Sequence, residues 1–165
     1  MRVLWALSGM LLLAVAEAAA AHPNPQAATP VARAHPAAPA GAVQVVDAFH
    51  AALARGDTAE AVKWLDEAVI VYEAGGAERS RAEYAARHLP GDAEFAKAVG
   101  RALLRRAGGG VGEIAWVASE GRTTGRFKDR DVDRVTTETM VLRRRGDIWR
   151  IVHIHWSSRT AAAAH

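Results

Sequence analysis

The sequence predicts an α+β domain in which a strongly curved antiparallel sheet wraps around N-terminal helices. Helical hydrophobic spacing predominates from residue 42 to about residue 104, and β-rich segments follow from 113 to 157. A tight turn at Arg145-Gly146-Asp147 joins the last two β segments into a hairpin. The chain has 165 residues, half of them hydrophobic, which suits one domain with a real core and not two.

The N-terminus predicts export. Met1 and Arg2 form a short positive region, residues 3–15 are apolar, and the alanines at 18–21 offer A-x-A cleavage sites. We therefore expect a signal peptide over 1–21 and a periplasmic or secreted protein with no stable membrane insertion after cleavage. An uncleaved N-terminal anchor is the alternative, because Glu17 is unusual beside a cleavage site.

Composition sets the domain limits and excludes several functions. Residues 22–41 hold five of the six prolines and few large apolar groups, which predicts a disordered linker before a domain at 42–159 and a disordered tail at 160–165. The chain has no cysteine, so disulfides and thiolate chemistry are excluded. Its net charge is +3, but the longest basic run, residues 143–145, lies at a hairpin tip, so no nucleic-acid partner is expected.

Two helices are predicted first. Apolar residues at helical spacing mark a helix that ends at Arg55-Gly56-Asp57, with glycine at C′. Asp57 is the N-cap of a second helix over Thr58 to Leu65. The apolar positions of the first helix are Val45, Val46, Phe49, Ala52 and Leu53.

A strand and two more helices follow. Residues 68–73 are β-branched and aromatic, and Gly75-Gly76 ends this strand. The sequence from Ser80 to Glu83 is a capping box, which predicts a third helix to about His88. Pro90-Gly91 is expected to break it, so that Asp92 caps a fourth helix to about Leu104.

The rest of the domain is predicted to be β. Gly108 to Gly110 is interpreted as a flexible joint. Four strands then form a meander with turns rich in Gly and Asp. The predicted strands are Glu113 to Glu120, Thr123 to Phe127, Arg134 to Arg143 and Ile148 to Ser157.

This order of elements carries a family resemblance. The helix-Arg-Gly-Asp-helix leading into Val-Ile-Val-Tyr-Glu resembles the nuclear transport factor 2-like (NTF2-like) superfamily, and within it the SnoaL-like and DUF4440-type proteins of bacteria. Residues 152–157, 114–117 and 72–73 are also similar to the association domain of calcium/calmodulin-dependent protein kinase II. The resemblance covers roughly residues 42 to 159. It implies an NTF2-like cone with an internal pocket and frequent dimers, while this fold hosts both enzymes and non-catalytic binders.

Matched to ketosteroid-isomerase-like members, the chain departs at the oxyanion site. Phe49 and Met140 occupy the two positions that donate hydrogen bonds in those enzymes, and neither side chain can donate one. Glu73 stands about where those enzymes have their carboxylate base. The resemblance therefore keeps a base and loses the oxyanion hole, which argues against steroid-isomerase chemistry.

The resemblance also implies an apolar pocket. Positions that carry arginines in the kinase association domain match Ala118, Met140 and Trp156, which cannot pair with an anionic ligand. The first hypothesis is therefore a pocket protein that binds a small, mostly apolar molecule without turnover. The expected pocket residues are Phe49, Trp116, Ala118, Met140, Ile154 and Trp156.

An enzyme is the second hypothesis. Inward residues of the first strand should be Val69, Val71 and Glu73, and a carboxylate at the mouth of an apolar pocket has a raised pKa. Tyr84 and His88 lie four apart on one helix face and could join Glu73 in the proton transfer of a lyase, isomerase or hydrolase. A surface glutamate at the start of a turn, with Tyr84 and His88 sealing the cone, is the alternative.

A zinc or copper site is the third hypothesis. His153 and His155 share one strand face with Cα atoms about 7 Å apart, and His88, Glu73 or His50 could supply a third ligand. The alternative places the histidine pair on the outer sheet face, where it would join Val141 in a homodimer interface. The resemblance favours that arrangement, since it puts Val152, Ile154 and Trp156 inside.

Overall fold

The computed structural model describes residues 37–161 and confirms the α+β class. This part of the chain forms four helices and six strands, with all four helices before the last four strands. No helix among the described residues is long and apolar enough to cross a membrane. The elements are α1 Ala40–Arg55, α2 Thr58–Lys63, β1 Leu65–Glu73, β2 Gly76–Glu78, α3 Arg81–Arg87, α4 Leu89–Ala98, β3 Val99–Val111, β4 Ile114–Phe127, β5 Arg130–Arg145 and β6 Ile148–Thr160. The predicted signal peptide and most of the predicted linker lie outside the described residues.

The six strands form one curved sheet in the order β2-β1-β6-β5-β4-β3. Neighbouring strands are antiparallel except for β1 and β6, which run parallel. We call the face that packs on α1 the inner face; its buried residues include Val117, Met140 and Ile154. The opposite, outer face carries Tyr72, Trp116, Val141, His153 and His155. Burying the inner face against α1 gives the domain its hydrophobic core.

The junction between the first two helices is as predicted. Gly56 adopts a left-handed φ of 72°, and its N–H bonds the carbonyls of Ala52 and Leu53. The Asp57 carboxylate accepts a 2.9 Å hydrogen bond from the Glu60 N–H. α2 ends at Lys63 rather than at Leu65, because Leu65 is fully buried as the first residue of β1.

The capping box is confirmed, but the fourth helix differs from the prediction. The Ser80 hydroxyl accepts a 3.0 Å bond from the Glu83 N–H, and the Glu83 carboxylate accepts one from the N–H of Arg79, the residue before the N-cap, rather than from that of Ser80. α3 ends at Arg87, and Pro90 lies in the first turn of α4, where the missing N–H costs nothing. Asp92 is therefore a first-turn residue of α4 and not its N-cap, which is His88. α4 ends at Ala98 instead of Leu104, and the following residues belong to β3.

The triple glycine is not a flexible joint. Gly108 to Gly110 lie within β3, and the segment just before α1 crosses directly over them. A Cβ at Gly108 would lie 2.6 Å from the Ala38 Cβ and 2.8 Å from the Trp116 carbonyl oxygen. Glycine is required here because two backbones approach closely.

The later strands are longer than predicted, and one carries a bulge. β4 is continuous from Ile114 to Phe127, and the expected β5–β6 hairpin closes at Arg145 and Ile148 with Gly146 at a φ of 61°. Leu142 pairs with Ile151 while Val141 pairs with His153, so one extra residue is inserted on β6. Val152 is therefore the bulge residue, and the predicted inward alternation starts only at Ile154.

Candidate functional site

A pocket of about 590 Å³ opens between the inner sheet face and helices α1 and α4. Its apolar lining comes mainly from the two helices, and its polar lining comes mainly from the strands of the sheet. The apolar lining comprises Ala51, Leu53, Ala54, Phe95, Ala96, Val99 and Trp156. The polar lining comprises His50, Glu73, Asp92, Arg101, Thr123, Arg134, Thr136, Thr137, Glu138, Ser157 and Ser158.

Two carboxyl groups face this pocket with raised pKa values. Glu73 ends β1, pointing inward as predicted, and Asp92 comes from the first turn of α4. Burial raises the pKa of Glu73, and the nearby Asp92 carboxylate raises it further. Burial also raises the pKa of Asp92, although a hydrogen bond from Tyr84 and the charge of His88 oppose the shift. Both groups therefore hold protons at a higher pH than ordinary carboxyls do.

Tyr84 acts on the pocket through Asp92. Its side chain is fully buried, and its hydroxyl donates a 2.8 Å hydrogen bond to the Asp92 carboxylate. Burial raises the pKa of Tyr84 far above its ordinary value, so the hydroxyl stays protonated and remains a donor. Tyr84 is thus not a lining residue; it positions Asp92, which was not predicted from the sequence as a site residue.

The structure places His88 away from the pocket lining. Its Nδ1 atom bonds the carboxylate of Glu78, a side chain that is almost fully buried. The predicted acid–base pair of Glu73 and His88 therefore does not share the pocket. His88 affects Glu73 only through its charge, which lowers the Glu73 pKa.

A second polar centre lies deeper, around Glu138. Its Oε2 atom accepts a 2.7 Å bond from the Trp156 indole N–H and lies 2.7 Å from His50 Nε2, while Oε1 lies 3.5 Å from Arg101. Burial alone would raise the pKa of Glu138, but His50, Trp156 and Arg101 outweigh it and lower the pKa. Glu138 is therefore ionised. A signal was present in the sequence, because Glu138 shares the inward alternation of Met140 and Leu142.

The six predicted pocket residues separate into three groups. Trp156 lines the pocket. Phe49, Met140 and Ile154 are fully buried beneath it, and the Phe49 ring stacks on Trp156 with centroids 6.3 Å apart. Trp116 and Ala118 line a smaller outer groove of about 320 Å³, because Ala115 and Val117 take the inward positions of β4.

The pocket is also more polar than the resemblance implied. The positions matched to the association-domain arginines do not carry arginine, but other inward positions do: Arg101 on β3 and Arg134 on β5 both reach the pocket. An anionic ligand would therefore have cationic partners here, contrary to the expectation from the sequence.

The histidine pair lies on the outer face, as its alternative interpretation stated. His153 Nδ1 is 3.0 Å from the Ile70 carbonyl oxygen, and the Tyr72 ring lies edge-on to both imidazoles. His50 and Glu73, two of the suggested third ligands, face the pocket on the other side of the sheet. Between residues 37 and 161 no three His, Asp or Glu side chains converge as a metal site would require.

Known proteins resemble this domain in both sequence and structure. A candidate ketosteroid isomerase from Shewanella frigidimarina is 36% identical with a TM-score of 0.69, covering 71% of this chain and 94% of its own. A candidate dehydratase of the NTF2-like family from Streptomyces avermitilis is 21% identical (TM-score 0.63, coverage 73% and 95%). The calcium/calmodulin-dependent protein kinase II hub of S. rosetta is 25% identical (TM-score 0.60, coverage 75% and 99%).

Family membership follows from the sequence itself. No functionally curated protein matches the chain. The family model of the SnoaL-like domain matches residues 43–161, which is nearly the whole of the described domain. Together with the 36% identical structural relative, this match establishes that the chain belongs to the SnoaL-like domain family.

Proposed function

We propose that this protein binds a small organic molecule in the pocket between the inner sheet face and helices α1 and α4. The observation that carries the proposal is the cavity of about 590 Å³, which lies within the size range of ligand-binding pockets. Its apolar wall, which includes Leu53, Phe95 and Val99, suits the hydrocarbon part of such a ligand. Its polar wall suits one or two oriented hydrogen bonds, so the preferred ligand is partly rather than wholly apolar.

Filling the pocket from α1 tests this proposal. Ala54 lines the pocket and is exposed to it, so Ala54→Phe places a ring in the cavity without disturbing the core. Ala59→Phe makes the same change at an exposed position of α2 outside the lining. A panel of aromatic and alicyclic fragments is screened by ligand-observed NMR, and affinities are measured by titration calorimetry.

We expect several fragments to bind the parent and the Ala59→Phe variant equally, and the Ala54→Phe variant at least tenfold more weakly. Equal binding by Ala54→Phe and the parent would place the ligand elsewhere and refute the proposal. Failure of every fragment to bind would refute it as well.

Proton transfer by Glu73 is the second candidate function. The specific observation is that the pocket separates its carboxyl groups by pKa: burial raises the pKa of Glu73, while hydrogen bonds lower that of Glu138. Such a division is typical of acid–base sites. At a pH above its raised pKa, Glu73 would remove an acidic C–H proton from a bound carbonyl compound and return it at another position.

Isotope exchange tests this second candidate without knowledge of the natural substrate. 2-Tetralone has acidic protons beside its carbonyl, and their replacement by deuterium in D₂O is followed by NMR. We expect the parent to accelerate exchange and Glu73→Gln to lose the acceleration while it still binds the ketone. Glu120→Gln, which removes an exposed carboxylate outside this pocket, serves as the matched control. Unchanged exchange in Glu73→Gln would exclude Glu73 as the base.

We also propose a homodimer formed through the outer sheet face. The exposed Tyr72 and His155 lie there beside the half-buried Val141 and His153, and relatives named for association domains share the fold. Val141→Glu would put a charge at the centre of this face. Sedimentation is expected to give a dimer for the parent and a monomer for the variant; a parent that is monomeric at all concentrations would contradict the proposal.

Export is the last element of the proposed function. We propose that residues 1–21 direct the chain out of the cytoplasm and are removed near Ala21, on the pattern of the N-terminal sequence alone. N-terminal sequencing of the protein from a bacterial periplasmic fraction should then begin near His22. A protein that begins at residue 1 or 2 and stays in the cytoplasm would contradict this element.

A further inference from the structure

We propose that the pocket selects ligands that carry a carboxylate, which Arg134 and Arg101 hold at the pocket rim. The inference rests on the proposed binding function and narrows it to one class: small organic acids with an apolar body. An anionic ligand thus replaces the neutral one expected from the sequence.

The strand register places the two arginines together. Arg101 on β3 pairs with Thr123 on β4, and Thr123 pairs with Arg134 on β5. Cross-strand partners project from the same face, so both arginines flank the buried Thr123 with their Cα atoms about 10 Å apart. Both side chains line the pocket. A carboxylate between them would meet a guanidinium from each side.

The two arginines differ in how far nearby carboxylates neutralise their charge. Arg101 lies 3.5 Å from Glu138, but that carboxylate is shared with His50 and Trp156. Arg134 donates to the hydroxyl of Ser158 at 3.1 Å, a neutral partner. Within residues 37–161 no carboxylate lies within ion-pairing distance of Arg134.

The acid next to Arg134 in the sequence is already occupied. Asp133 accepts two 2.7 Å bonds from Arg122, and these two residues project from the outer face. The pocket rim therefore has one guanidinium that forms no ion pair among residues 37–161, although its charge acts on Glu73, and a second one whose charge Glu138 only partly balances. Guanidinium donors form their strongest bonds with carboxylates, often in pairs.

The rest of the pocket fixes the orientation of such an acid. The hydroxyls of Thr123, Thr136 and Ser158 lie near the arginines as further donors. An apolar body would extend along the helical wall of Leu53 and Phe95. Glu73 lines the same pocket, and the charge of Arg134 acts on it, since that charge opposes the rise of the Glu73 pKa.

Matched pairs of acids and amides test the inference. Naphthalene-2-carboxylate, 3-phenylpropanoate and cyclohexanecarboxylate are each compared with the corresponding carboxamide by titration calorimetry of the full chain at pH 7.5. The acid and the amide of each pair have nearly the same shape, but only the acid is charged. We expect the acid of the tightest-binding pair to bind about tenfold more tightly than its amide.

Variants of Arg134 assign the preference to the rim. Arg134→Gln is expected to remove the acid preference while the amide still binds with unchanged affinity, and Arg134→Lys is expected to retain part of the preference. Arg122→Gln removes an arginine from the outer face of the same sheet and should keep the full preference. Equal melting temperatures of parent and variants exclude misfolding as the cause.

Two results would overturn the inference, and they differ in what they leave standing. An amide that binds as tightly as its acid, or a full preference that survives in Arg134→Gln, removes the carboxylate site but keeps the pocket as a binding site. Absence of binding by every acid and amide removes the proposed binding function together with the inference.

Discussion

Removal of the Tyr84 hydroxyl is predicted to destabilise the protein in a pH-dependent manner. Tyr84→Phe keeps the fully buried ring and deletes only the donor that bonds the Asp92 carboxylate at 2.8 Å. The variant therefore creates no sizeable cavity. Its effect reports the interaction between a neutral phenol and a half-buried carboxylate.

The magnitude depends on the charge of Asp92. A hydrogen bond to a charged group contributes about 1.5–3 kcal/mol, so we expect the free energy of unfolding to fall by about 2 kcal/mol at pH 8. Burial raises the pKa of Asp92 above its ordinary value of 3.8, and loss of the Tyr84 donor raises it further. When folding raises the pKa of a carboxyl, the free energy of unfolding falls as the pH rises through that pKa. This cost disappears at a pH where the carboxyl is protonated in both the folded and the unfolded state. As the pH falls through the Asp92 pKa, the hydrogen bond that is lost becomes a neutral one, and the expected decrease falls toward about 1 kcal/mol.

Urea unfolding at pH 4, 6 and 8, followed by tryptophan fluorescence, measures these differences. Tyr72→Phe is the matched control, because it removes the same hydroxyl from the chain's other tyrosine, whose hydroxyl forms no hydrogen bond within residues 37–161. We expect the control to change stability by less than about 0.5 kcal/mol at every pH. A Tyr84→Phe variant with the stability of the parent at pH 8, or with a larger loss at pH 4 than at pH 8, would refute the reasoning.

Four further predictions follow from particular contacts. Gly108→Val should destabilise the protein by about 1–3 kcal/mol, because its Cβ would overlap the Ala38 side chain, whereas Gly100→Ala, with its nearest atom 3.7 Å away, should have little effect in the same urea assay. Ser80→Ala should cost about 1 kcal/mol through the lost cap of α3, and unchanged urea midpoints would contradict this. Glu73→Gln should raise the free energy of unfolding by about 0.5 kcal/mol at pH 8 and leave it unchanged at pH 4, because the amide avoids the cost of a partly buried charge. The gain is small because solvent in the pocket screens that charge. A lower free energy of unfolding at pH 8 would count against the raised Glu73 pKa. His88→Ala should leave fragment affinity unchanged while it destabilises the fold by about 1–2 kcal/mol, since the buried Glu78 loses its partner; Arg87→Ala should change neither fragment affinity nor stability.

Local signals allowed most of the fold to be predicted. The Arg55-Gly56-Asp57 junction, the Ser80–Glu83 capping box and the β5–β6 hairpin depend on residues close in sequence, and all three are confirmed. The failures concern residues whose conformation depends on distant contacts. Gly108 to Gly110 suggest flexibility in isolation, and only the chain crossing at Ala38 shows why a rigid strand needs them.

The candidate site was less predictable for a related reason. Glu73 was identified from strand alternation and from its match to the family's carboxylate base, and Trp156 from its match to a pocket position of the association domain. Asp92 was treated only as a helix cap, because its contact with Tyr84 depends on how α3 and α4 pack together. Arg101 and Arg134 are more than 30 positions apart in sequence, and only the pairing of both with Thr123 brings them to one rim.

The indole N–H signals of a ¹⁵N-labelled full chain test the central claim most directly. Trp156 lines the pocket and donates its N–H to Glu138, whereas the buried Trp149 packs near Gly41 outside the lining. During titration with naphthalene-2-carboxylate, the Trp156 signal, assigned with Trp156→Phe, is predicted to shift until it saturates while the Trp149 signal stays in place. A Trp156 signal that does not move while the probe binds, or an equal shift at Trp149, would contradict the account.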